Sequence, residues 1–208
     1  MKNFAEVLGR AAQIGPLPLV LAAAQDEEAL RALKAACEAG LAQPTLVGDE
    51  ALIRPLLVRV GLPSSIPIVH EPDPVQAAVT AAKAVNGTKS GILMKGLVNS
   101  SDFLRAVLHP ECGLRTGRLL CHLAAFEVPG DRKLVFHTDG GMNIAPNLAE
   151  KKDILTSALL ALADLGIPCP KVAVLTANEV VSPKMPATVD AQALAEMNRR
   201  GEIGPAIV

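Results

Sequence analysis

Short apolar runs alternate along this chain with stretches whose apolar residues recur three or four positions apart, which predicts strands joined by crossover helices in an α/β layered sheet. Leu17 to Ala24 is an unbroken apolar run and predicts a buried strand. Asp26-Glu27-Glu28 follows it; carboxylates there face the positive end of a helix dipole, so a helix is predicted from this point to Cys37, stopped by Gly40. Pro44 to Gly48 predicts a second strand, with Asp49 capping a helix through Arg59 in which Pro55 must sit in the first turns or bend the axis. Ile66 to His70 gives a third strand, and Asp73-Pro74 opens an alanine-rich helix from Val75 to Val85 that Asn86-Gly87 closes. Gly91 to Met94 predicts a fourth strand ending at Lys95-Gly96, before a helix that Ser100 or Ser101 caps and that carries Phe103, Leu104, Val107 and Leu108.

The pattern then changes, and a domain boundary is expected near Arg118, dividing the chain into 1–118 and 119–208. Leu119 to Val128 and Lys133 to Thr138 are extended runs separated by the turn sequence Pro129-Gly130-Asp131, which predicts an antiparallel hairpin. Leu148 to Leu165 has the spacing of a long amphipathic helix ended by Gly166 and Pro168, Lys171 to Thr176 predicts a buried strand, and Asp190 to Arg200 a further helix. The chain stops on Ala206-Ile207-Val208, an apolar segment that is either an edge strand or the point where a longer protein has been cut.

Composition narrows the function classes. With 20 Lys+Arg against 21 Asp+Glu and no basic run, nothing favours a phosphate-backbone or anionic-membrane partner. Trp and Tyr are absent and only four Phe occur, which removes the stacking platform of single-strand nucleic-acid binders. Half the residues are apolar, so disorder is excluded. Cys37, Cys112, Cys121 and Cys169 lack zinc-site spacing and are expected to be structural thiols. No signal peptide or bilayer-length apolar run is present, so a cytoplasmic setting is expected.

Ligands of open α/β sheets bind outside the carboxyl ends of the strands, so loops after strands are the candidate site. Lys95-Gly96 is one, followed by Arg105, His109, Arg115 and Arg118, whose cations suit phosphate oxygens. The other is His137 to Pro146, where Gly140 and Gly141 permit close backbone approach and Asp139 and Asn143 offer an acceptor and an amide. A capped turn would present Asp139 in the same way, and His137 reads as a packed strand residue. There is no G-x-G-x-x-G, Walker, H-E-x-x-H or G-x-S-x-G motif. Spacing alone reaches only a small anionic ligand in an α/β crevice.

The blocks GILMKGLVNSSDFLRAVL, GLRTGRLLCHLAAFEVP, TDGGMNIAPNLAEKKDIL and PKVAVLTANEVVSPKMPATVDAQALAEMNRRGEIGPAIV, in this order from Gly91 to Val208, resemble the phosphate acetyl/butyryltransferase family, closer to its butyryl branch. The resemblance implies acyl-CoA plus phosphate giving acyl phosphate plus coenzyme A, with no metal and no cofactor beyond these substrates. It implies two α/β domains with a cleft, like isocitrate and isopropylmalate dehydrogenases, and a homodimer formed through the second domain. Arg105 matches an arginine that would bind phosphate or a coenzyme A phosphate, and Asp139 one that lines the cleft near Asn143. Lys95 and Gly96 belong to a family-like M-K-G block, and anion binding by Lys95 is inferred from its charge.

Members of the family continue beyond the equivalent of Val208 with a segment bearing the serine, arginine and aspartate associated with thiolate activation. That segment also completes the first domain's sheet, so the resemblance covers about the first two-thirds of a full member. Two readings follow. One is an acyltransferase that needs its remainder, and the other a non-catalytic short relative that dimerises or binds coenzyme A or an anion. A dehydrogenase would need clustered aspartates and a cofactor loop, and neither is present.

Overall fold

A computed structural model describes residues 2–88 and 90–208. The chain divides into two compact units, Leu8–Thr116 (the first) and Met1–Val7 with Gly117–Val208 (the second). Helix α1 (Phe4–Ile14) begins in one and ends in the other.

The first unit holds a four-stranded parallel sheet built from β1 (Leu17–Ala22), β2 (Ala42–Gly48), β3 (Ile68–His70) and β4 (Ile92–Lys95), in the order β3-β2-β1-β4. The connecting helices are α2 (Glu27–Glu38), α3 (Glu50–Val60) and α4 (Pro74–Asn86), and α5 (Ser100–Val107) follows β4. Alternation along β1 decides the layering. Leu19 and Leu21 pack with Leu30 and Leu33 of α2 and Ile53 and Leu57 of α3, whereas Val20 and Ala22 pack with Ala77, Ala78 and Ala81 of α4 and Ala106 of α5. The predicted caps form: Asp26 accepts from Glu28 and Ala29 N–H, Asp49 from Ala51, and Asp73 from Gln76. Asn99, not Ser100 or Ser101, occupies the α5 cap position, with no side-chain cap bond.

The second unit has a hairpin of β5 (Ala124–Phe126) and β6 (Val135–His137), antiparallel as predicted but only three residues long on each side. Helix α6 (Leu148–Asp164) opens on a full capping box: Asn147 accepts from Ala149 and Glu150 N–H while Glu150 accepts from the Asn147 N–H. Asn147→Ala should cost about 1 kcal/mol and lower the thermal midpoint by a few degrees. An unchanged midpoint would mean that packing alone fixes this helix start.

Helix α7 (Pro186–Arg199) begins four residues before the predicted Asp190, because Pro186 suits a first helical position whose N–H needs no partner. Leu155, Leu159, Leu194 and Ile203 form this unit's core, with Val172, Val174 and Val208 against it. The strand predicted over Lys171 to Thr176 shrinks to one parallel bridge, Lys171 with Ile207. Pro170 and Pro205 precede the bridge residues and lack the N–H donors that would extend the ladder backward, and Val172 to Thr176 lie in no strand. Helix α1 was not foreseen from the sequence, and it buries none of its residues.

Candidate functional site

In the order β3-β2-β1-β4 the chain reverses its direction of growth between β1 and β4, so the crevice position of this unit is at their carboxyl ends. There the two segments stay zipped past the strands: Gly96 N–H donates to Ala22 O at 2.8 Å and Leu97 N–H to Ala23 O at 2.8 Å. Gly96 is buried and makes this approach possible. A Cβ on it would lie 2.9 Å from the Ala22 carbonyl oxygen and closer still to that of Ala23. Ala23, fully buried, takes a left-handed φ of 51° to turn the chain here.

Lys95 is exposed, and its ammonium turns back onto its own loop, donating to Val98 O at 2.9 Å and Gly96 O at 3.3 Å. Arg105, in the last turn of α5 where a cation suits the helix dipole, is exposed and pairs with Asp102 at 2.5 Å. A feature that sequence reasoning missed is Gln25, just after β1. Its Oε1 is buried without a hydrogen-bond partner among the described residues, beside Gly48. Nothing in the sequence marks it beyond its place at a strand end.

In the second unit Asp139 and Asn143 are in direct contact. Asp139 Oδ1 accepts from Gly141 N–H at 3.3 Å and Met142 N–H at 3.2 Å. Its Oδ2 accepts from Asn143 N–H at 3.1 Å and from the Asn143 side-chain amide, which also donates to Leu120 O at 3.1 Å. The carboxylate thus organises the 139–143 turn and ties it to the segment entering β5. Partial burial pushes the carboxyl up, but the Asn143 amide and the three backbone donors outweigh it, leaving Asp139 below the usual carboxylate range. Because the folded value is depressed, this stabilisation is present above the ordinary carboxylate pKa of about 4 and is lost as pH falls through it toward the folded value. Asp139→Asn should therefore flatten the acid limb of stability against pH, which thermal melts between about pH 2 and 6 would show. An unchanged limb would mean that the turn does not depend on the charge.

His137 closes β6 and is exposed, not packed as its strand position predicted. His122, which the sequence did not single out, lies across from it beside Gly140. Burial pushes the Cys121 thiol up and the nearby Asp139 carboxylate adds to this, so thiolate chemistry is disfavoured there. Among the described residues no three His, Cys, Asp or Glu side chains converge as a metal would require, and no helix is long and apolar enough to cross a membrane. Lys95, Gly96 and Arg105 belong to the first unit, and Asp139 and Asn143 to the second.

A family model described as phosphate acetyl/butaryl transferase matches residues 63–207. The phosphate butyryltransferase of Clostridium acetobutylicum is 39% identical over 209 residues, covering 100% of this chain and 69% of that protein. A probable phosphate butyryltransferase of Bacillus subtilis is 40% identical over 203 residues, covering 98% of this chain and 68% of its own length. Among solved structures, a branched-chain phosphotransacylase from Enterococcus faecalis superposes with a TM-score of 0.74 at 26% identity, covering 92% of this chain and 67% of that one.

Proposed function

Because the chain belongs to the phosphate acetyl/butyryl transferase family, we propose that it moves an acyl group, butyryl or acetyl, between coenzyme A and inorganic phosphate. The observation that carries this reading is the 39% identity to a phosphate butyryltransferase along the whole chain, which takes in the Lys95-Gly96, Arg105 and Asp139-to-Asn143 segments. In the reaction a phosphate oxygen attacks the thioester carbonyl, the carbon–sulfur bond breaks, and the products are acyl phosphate and coenzyme A. Phosphate must be held against its own charge, and the oxyanion formed at the carbonyl needs donors. Arg105 supplies a guanidinium fork on the exposed face of α5, and Lys95 an ammonium at the end of β4 whose present partners are only loop carbonyls. The Asp139 turn supplies a fixed carboxylate rather than free donors, because its N–H groups and the Asn143 amide are engaged by that carboxylate and by Leu120 O. Coenzyme A and phosphate are substrates, and the proposal includes no metal or other cofactor.

Arg105→Ala should weaken phosphate or coenzyme A binding at least about tenfold, as loss of a charge-assisted pair implies, without lowering the melting temperature. Unchanged binding by calorimetry would remove Arg105 from the site. The same proposal includes a cytoplasmic setting, the isocitrate/isopropylmalate dehydrogenase-like frame and a homodimer through the second unit; a monomeric mass in solution would contradict the dimer.

A second reading rests on the fact that Lys95 and Arg105 both hold partners of their own. It is a module that binds coenzyme A or an anion, or dimerises, without turnover. Release of free thiol from butyryl-CoA and acetyl-CoA, with and without phosphate, separates the two. Phosphate-dependent release supports the transferase, and binding without release supports the module.

A further inference from the structure

We propose that the imidazoles of His122 and His137 and the bare Cα of Gly140 form a notch for a small oxyanion, inorganic phosphate in the first instance. In the hairpin Ala124 lies opposite His137, and His122, two residues before Ala124, returns to the same face. Thr138 Oγ1 donates to His122 O at 2.6 Å and holds that segment against the end of β6. The result converges on one point. A Cβ on Gly140 would lie 3.4 Å from His122 Nδ1 and 3.6 Å from His137 Nδ1, and these nitrogens are its nearest neighbours outside the adjoining residues.

Among the described residues neither ring has a hydrogen-bond partner, so both are available to a ligand. The neighbouring Asp139 carboxylate has its oxygens taken up by the turn N–H groups. The chemistry points to an oxyanion. Two imidazole nitrogens close to one point can donate to two oxygens of a tetrahedral anion, whereas among the described residues no third metal ligand joins them. That the anion is phosphate rests on the acyltransferase reading.

The test is a titration of the whole chain with inorganic phosphate, followed by the imidazole nitrogen resonances. Both rings should shift with one common Kd, and His122→Ala or His137→Ala should raise that Kd at least about tenfold. Gly140→Ala provides a variant that folds, because φ of Gly140 is not in the left-handed region and the new methyl would make ordinary contacts; it fills the notch and should abolish the shifts. Rings that do not respond to phosphate, or a Gly140→Ala protein that binds phosphate unchanged, would overturn the assignment. Phosphate-dependent turnover with silent rings would remove the notch and leave the acyltransferase reading standing. Responding rings without turnover, both for the chain alone and when it is fused to the part of a phosphate butyryltransferase that it does not span, would keep the notch and count against that reading.

Discussion

Gly96→Ala is expected to destabilise the first unit by about 3 kcal/mol and to lower its thermal midpoint by roughly 10 °C or more. The cost arises because the added methyl meets backbone, which cannot rotate away as a side chain can. The Ala22 carbonyl oxygen would be 2.9 Å from it and the Ala23 oxygen closer, and both oxygens accept the hydrogen bonds from Gly96 and Leu97 that join β4 to β1. Relief requires those bonds to lengthen, so the loop carrying Lys95 should loosen as well, with faster amide exchange at Gly96 and Leu97. A midpoint within about 2 °C of the parent would mean that the strand ends are not held as described.

Leu21→Ala should cost about 3 to 4 kcal/mol, within the span for leucine deletions in close-packed cores. Leu21 is fully buried near the carboxyl end of β1, level with Leu46 of β2 and Met94 of β4, and it packs with Leu30, Leu33, Ile53 and Leu57. Strands on both sides and helices above leave the site little freedom to collapse onto the vacancy. Val58→Ala on the outer face of α3, where Val58 is 76% exposed, is the control and should change stability by less than about 0.5 kcal/mol. Equal losses from the two variants would contradict the core assignment.

The first unit was legible because its signals agree with each other. The run Leu17 to Ala24 has no polar interruption, and Asp26, Asp49 and Asp73 stand where helix caps must stand and form the cap bonds. The second unit was less so, since its strands are three residues long and the strand predicted over Lys171 to Thr176 forms only a single bridge, to an Ile207 distant in sequence. Helix α1 has helical apolar spacing, but it buries none of its residues, so that spacing marks no core-facing stripe. For the site, sequence picked out the Asp139 turn from its glycines and polar residues. It did not show that the carboxylate is consumed by N–H groups of Gly141, Met142 and Asn143, or that Lys95 folds back on Val98 O. His122 and His137 become neighbours only through hairpin register, which no local pattern reveals.

The most direct test of the central claim is 31P NMR of butyryl-CoA and inorganic phosphate mixed with the 208-residue chain, alone and fused to the part of a phosphate butyryltransferase that the chain does not span. An acyl phosphate resonance is expected that grows as the thioester is lost and that requires phosphate. A folded protein that yields no acyl phosphate in either form, or that consumes thioester equally without phosphate, would contradict it.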